Sequence, residues 1–179
     1  MTQCYGDADL GMLLRALRER GDEAKFFTPE TRPYLQGARL TASVICDMGF
    51  DVSLITDNMP GYVLGHKDVD LFTTSADVIT LDGHVVNKIG TFQIALAANY
   101  YGVPYYVAGF PDRTHPDLTS VHIEERNGDE VRHAMGVLTC KAGVKGYYPA
   151  FDITPPELVT GVATDIGVLK PTELQGYQP

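Results

Sequence analysis

Residues Leu71 to Ile89 read LFTTSADVITLDGHVVNKI, and the chain is organised around them. The stretch begins as an apolar strand that ends in small polar residues, Thr73, Thr74 and Ser75. A single carboxylate, Asp77, follows just past the strand's C-terminal end. A turn comes at Asp82-Gly83, then the pair Asn87-Lys88, then Gly90 and a helical pattern. In open α/β sheets, ligands sit outside the carboxyl ends of strands, where backbone N–H groups and helix N-termini converge. An acid and a Lys-Asn pair at such an edge supply an acid/base group and a clamp for anions or hydroxyls. The same residues also suit a turn cap at Asp77 and a solvated loop at Asn87-Lys88, so spacing leaves both readings open.

The same alternation extends in both directions. Upstream, Leu10, Leu13, Leu14 and Leu17 fall at helical spacing and Gly21 closes the helix. Short strands follow over Ala24–Phe27 and, as a buried type, Asp51–Thr56. Between them a helix is expected over Gln36–Met48, with Leu40, Val44 and Ile45 inward. Pro60-Gly61 breaks the chain before a short helix or turn. Downstream, a helix over Ile89–Tyr101 leads to a strand over Pro104–Ala108, an edge strand over Val121–Glu124 and an unreadable segment over residues 127–145. Thr154-Pro155-Pro156-Glu157 has the form of a helix start, which predicts a helix to about Asp165.

Short strands alternating with helices imply βαβ units. The expected fold is α/β, a doubly wound, mainly parallel sheet with helices on both faces, Rossmann-like but without a dinucleotide motif. Neither G-x-G-x-x-G nor a phosphate-binding P-loop occurs, so no nicotinamide cofactor or nucleoside triphosphate is expected.

Composition narrows the function classes. The 179 residues, 44% apolar, suit one α/β domain. A net charge of −9 argues against nonspecific nucleic-acid binding and an anionic membrane surface. The longest apolar runs fall short of the roughly 18 residues of a membrane span, and no signal peptide is expected. Cys4, Cys46 and Cys140 are odd in number and widely spaced, which points away from zinc and disulfides and towards a reducing, cytoplasmic setting. Cys46 and Cys140 read as structural. Cys4 precedes a helix, where a thiol's pKa falls and reactivity rises; the alternative is a buried, inert thiol. Arg32 and Arg39 flank Gln36 at a helix foot, as a phosphate-binding pair or as surface ion pairs. Asp152 reads as a helix-entry cap.

Five blocks taken together resemble one family: ETRPYLQGARLT (30–41), LITDNM (54–59), SAD (75–77), VNKIGT (86–91) and PAFDITP (149–155). That family contains methylthioribose-1-phosphate isomerase, ribose-1,5-bisphosphate isomerase and the regulatory subunits of translation initiation factor 2B. The resemblance implies a cofactor-free aldose–ketose isomerisation of a pentose 1-phosphate. It implies Asp77 as proton donor, Cys4 as an aid to the transition state, and Gln36, Asn87 and Lys88 as substrate contacts. The alternatives are a regulatory subunit that senses a ligand without turnover, an isomerase like those of ribose 1,5-bisphosphate or 5-deoxyribose 1-phosphate, and an interaction protein that dimerises through an exposed sheet edge. Where the family has Gly-Ala-Asp-Arg, this chain has Ser75-Ala76-Asp77-Val78. The resemblance also implies that these residues equal the family's C-terminal half. An N-terminal helical domain with a phosphate-binding Arg-Gly-Ala segment is then expected elsewhere. The expected partners are a sugar phosphate and either a second copy or a separate N-terminal half.

Overall fold

The computed structural model describes residues 1–178, a mixed α/β structure with parallel sheet segments. The first two thirds alternate as expected: α1 (Asp7–Arg20), β1 (Lys25–Pro29), α2 (Ala42–Asp47), β2 (Asp51–Ile55), α3 (Pro60–His66) and β3 (Phe72–Ser75). A short hairpin of β4 (Val78–Ile79) and β5 (Val85–Lys88) follows, then α4 (Thr91–Tyr100) and β6 (Tyr105–Ala108). Beyond these come α5 (Asp129–Arg132), the hairpin β7 (His133–Ala134) and β8 (Val137–Leu138), then β9 (Phe151–Thr154), β10 (Gly161–Thr164) and β11 (Gly167–Leu169).

β1 pairs parallel to β2, and β3, β6 and β10 form a second parallel run with β11 antiparallel at its edge. Residues 1–3 join the two runs. Thr2 bridges Thr73 in parallel, its N–H donates to Phe27 O at 3.0 Å, and Thr73 N–H donates to Met1 O at 3.0 Å. The bonded neighbours run β2, β1, residues 1–3, β3, β6 and β10. β9 belongs to a smaller antiparallel sheet, β4-β5-β9, set beside the C-terminal ends of these strands.

Successive strand residues face opposite sides of a sheet, and β1 shows that both sides are covered. Phe26 packs with Leu10, Leu14 and Ile45 of α1 and α2, while Phe27 packs on the cluster holding Val63, Leu64 and Ile94 of α3 and α4. Phe72, Tyr105, Val107 and Val162 complete that second cluster, each at most 1% exposed.

Several expectations need correction. The helix expected after Thr154 is only a single turn over Pro156–Leu158, and the chain then returns as β10 and β11. Val162 in β10 is fully buried between β6 and β11, and sheet pairing of Gly161–Thr164 outweighs the local cap signal. β2 is an exposed edge strand rather than a buried one, with Leu54 51% exposed. Val121–Glu124 forms no strand, and the antiparallel bridge falls one residue later, Glu125 to Pro149. The segment 127–145 contains α5 and the β7–β8 hairpin, whose tip residue Met135 is almost fully exposed. Gly37–Thr41 forms a π-helical turn whose extra residue per turn shifts the helical phase, so Leu40 turns outward while Ile45 stays in the core. Cys46 is exposed rather than structural.

Candidate active site

The β3 strand ends at Ser75, and Asp77 N–H then donates to Val86 O at 2.9 Å, which anchors the acid against β5. Asn87 and Lys88 are therefore strand residues, not a solvated loop, and they are only 6% and 5% exposed. In the β5–β9 register they lie opposite Asp152 and Phe151. Asn87 Nδ2 donates to Thr91 Oγ1 at 3.1 Å, and Thr91 in turn donates to the Lys88 carbonyl at 2.8 Å. Lys88 Nζ stands 4.3 Å from the centre of the Phe151 ring.

Asp152 does cap a helix, but not the one that follows it in sequence. Its carboxylate accepts from Gly90 N at 2.7 Å and Phe92 N at 3.1 Å, the first turn of α4. Burial pushes its pKa up to about 6 in spite of those two N–H donors.

Gln36 is placed by the loop between β1 and α2. Asp57, the acid after β2, accepts from Thr31 N at 2.8 Å and Arg32 N at 2.6 Å and so holds the loop shut. Gly37 lies so close to β1 that a Cβ there would meet Pro29 O at 1.8 Å, which no side chain permits. Gln36 Oε1 is buried and has no hydrogen-bond partner. Arg32 donates to Val131 O and His133 O, and Arg39 to Tyr34 O, and neither lines the cleft that holds Gln36.

All five sequence-predicted residues line one cleft of about 430 Å³: Cys4, Gln36, Asp77, Asn87 and Lys88. That volume falls in the range of roughly 300–1,000 Å³ typical of small-molecule sites. Arg126 and Phe151 line it as well, and sequence reasoning missed both. Phe151 lies inside a motif block but carries no chemistry to flag it. Arg126 sits 38 or more residues from every other charged or polar group named above for the cleft, so no local spacing could have shown it.

Burial raises the Cys4 pKa above its ordinary value, against the Tyr5 N–H and the nearby Lys88 charge, with Asp77 adding a further rise. The expectation of a thiolate activated by a helix N-terminus is thus corrected: α1 starts at Asp7, three residues on, and the dry cleft wall outweighs it. Cys4 is a neutral thiol at pH 7. Asp77 is likewise raised, mainly by burial of its inner side, and partly drawn back by Lys88 and Arg126. Its outer side remains exposed. Lys88 is lowered, first by burial, then by Arg126, against the pull of Cys4, Asp77 and Glu124. The cleft thus holds a carboxyl and a thiol whose pKa values burial raises, a buried cation and an unsatisfied amide acceptor. Among the described residues no group of His, Cys, Asp and Glu is arranged to hold a metal ion.

A family model described as the initiation factor 2 subunit family matches residues 1–171. The chain is 47% identical over 173 residues to methylthioribose-1-phosphate isomerase of Carboxydothermus hydrogenoformans, covering 95% of this chain and 50% of that protein. The corresponding protein of Heliobacterium modesticaldum is 48% identical over 177 residues, covering 97% and 51%. Among solved structures, 5-methylthioribose 1-phosphate isomerase of Pyrococcus horikoshii superposes with a TM-score of 0.88 at 34% identity, over 98% of this chain and 51% of that one. Translation initiation factor eIF-2B subunit delta of A. fulgidus superposes with 0.89 at 33% identity, over 98% and 56%. The chain spans about half the length of the curated relatives it matches.

Proposed function

We propose, from the premise that this chain belongs to the initiation factor 2 subunit family, that it carries the reacting groups of an aldose–ketose isomerase for a pentose 1-phosphate, 5-methylthioribose 1-phosphate or a close analogue. The observation that supports this most directly is the convergence of Cys4, Gln36, Asp77, Asn87 and Lys88 on one cleft. The sheet segments are read as one doubly wound, Rossmann-like sheet, with the cleft past its carboxyl ends.

A sugar 1-phosphate is locked as a ring. Asp77, whose pKa burial raises towards that of a proton donor, gives its proton to the ring oxygen as the bond from that oxygen to C1 breaks. One hydrogen then moves from C2 to C1, and the C2 hydroxyl loses its proton as C2 becomes the ketone. That proton restores Asp77, so the reaction balances without a cofactor. Cys4, a neutral thiol on the same wall, assists the hydrogen transfer. Lys88 and the Asn87 amide stabilise negative charge developing on oxygen. Gln36 Oε1 accepts from a sugar hydroxyl, which satisfies an acceptor that is otherwise buried and unpaired.

Asp77 is open to solvent on one side, and a reacting ring needs water excluded. The closing wall, and the contacts to the sugar's 5-substituent, are assigned to structure outside these residues: the counterpart of the relatives' other half, or a second copy. The setting is read as cytoplasmic; no helix among the described residues is long and apolar enough to cross a membrane.

The test is incubation with 5-methylthioribose 1-phosphate, followed by NMR for the ketose and by thermal shift. Formation of the ketose, lost in Asp77→Asn while binding persists, supports the proposal. Ligand-induced stabilisation without product, in the presence of the complementary half, would favour the sensing role suggested by the similarity to eIF-2B subunit delta.

A further inference from the structure

Arg126 lines the cleft as its second cationic side chain beside Lys88. Arg126 follows the Glu125–Pro149 bridge, and its own N–H donates to Tyr148 O at 2.8 Å, so the backbone is pinned beside the segment that leads into β9. Its guanidinium is held flat in three ways. Glu124 accepts from Nε at 2.9 Å and from Nη2 at 2.8 Å. The Tyr34 ring lies 5.3 Å away and the Phe151 ring 5.5 Å away. Glu124 is its single ion-pair partner among the described residues, and that carboxylate faces solvent. Glu124 takes two of the five N–H donors of the arginine, the Tyr148 hydroxyl lies beside the guanidinium, and the Nη1 pair is bonded to no carboxylate.

A guanidinium clamped this firmly has already lost most of the rotamer freedom that binding would cost. It faces the same space as Lys88, whose Phe151 platform it shares. The acids lining that space are Asp77, whose pKa burial raises, and Asp9. Both cations feel each other: Arg126 pulls the Lys88 pKa down and opposes the rise at Asp77. Two like charges beside one aromatic ring in one cleft favour an anion there.

We propose that Arg126 binds the phosphoryl group of the sugar phosphate, its planar fork acting with the Lys88 ammonium on this half's side of the cleft. This rests on the isomerase reading for the identity of the sugar, but not for the existence of the anion site. It adds a residue that the sequence blocks did not mark. It also places one phosphate contact within these residues. The reacting C1, which carries that phosphate, then lies between Lys88 and Asp77, where the ring oxygen can reach the acid.

The experiment titrates inorganic phosphate, 5-methylthioribose 1-phosphate and unphosphorylated 5-methylthioribose into wild type, Arg126→Gln and Arg126→Lys, following amide shifts by NMR. Phosphate and sugar phosphate should bind Arg126→Gln roughly 10- to 100-fold more weakly, the loss expected for charge-assisted hydrogen bonds. The unphosphorylated sugar should bind wild type and variant alike. Arg126→Lys keeps charge and bulk, so it guards against misfolding; it should still lose several-fold because the fork is gone. Undiminished phosphate affinity in either folded variant overturns the proposal, as does an equal loss for the unphosphorylated sugar. Arg126-dependent phosphate binding with no ketose formed by the assembled protein would sink the isomerase reading alone. Ketose formed at wild-type efficiency by Arg126→Gln would sink this one alone.

Discussion

Replacing Asp152 by Asn tests how the cleft is held together. Asp152 reaches from β9 to the first turn of α4, and its strand partner is Asn87. Burial raises its pKa from the ordinary 3.8 to about 6, so at neutral pH the charged form is held at a cost. A shift of that size corresponds to roughly 3 kcal/mol between the two protonation states, and partial solvent access reduces the expected effect to roughly 1–3 kcal/mol. The sign follows from linkage. A carboxyl whose folded pKa is raised binds its proton more tightly in the folded state. Its stabilising contribution is complete below the unfolded value near 3.8 and is lost as pH rises through about 6. Urea unfolding of wild type and Asp152→Asn at pH 8, 7, 6, 5 and 4 measures this directly. The wild type should gain stability relative to the variant as pH falls from about 7 to about 4. A difference that stays flat, or that moves the other way, would show that the two backbone donors outweigh burial, and the account of this corner of the site would fail.

Asp77→Asn should lower turnover by roughly 10²–10⁴-fold with unfolding unchanged. Because the acid must be protonated, wild-type turnover should fall as pH rises through the raised Asp77 pKa, and that limb should vanish in the variant. Cys4→Ala should lower turnover by orders of magnitude. Alkylation at Cys4 should be slow at pH 7, accelerate as pH rises, and be blocked by bound sugar phosphate, whereas the exposed Cys46 should react regardless of ligand. Lys88→Met should abolish turnover without loss of thermal stability, since the buried ammonium faces an aromatic ring and no bonded carboxylate; a destabilisation above roughly 1 kcal/mol would mark a structural role instead. Gly37→Ala should cost more than about 3 kcal/mol, read by urea unfolding, because its Cβ has no space beside Pro29 O.

Much of this site was legible in the chain because its parts lie within short, strongly patterned blocks. Asp77 follows a strand that any period-two reading finds, and Asn87-Lys88 sit one hairpin further on. Helices α1 and α4 announce themselves because each buries one face, Leu10 and Leu14 in α1 and Ile94, Ala95 and Ala98 in α4. The C-terminal third resisted for the opposite reason. β10 is made by pairing with β6 and β11, partners far away or not yet reached when the local pattern is read, so a valid helix-start signal lost to a sheet.

The sequence by itself determined which reacting groups exist and near which strand ends they fall, since those follow from periodicity and from side-chain chemistry. Only the tertiary structure decided their state and company. Burial, a property of the packed chain, makes Cys4 a neutral thiol rather than a thiolate, turns Asp152 into the cap of a helix some sixty residues upstream, and brings Arg126 over the same aromatic floor as Lys88.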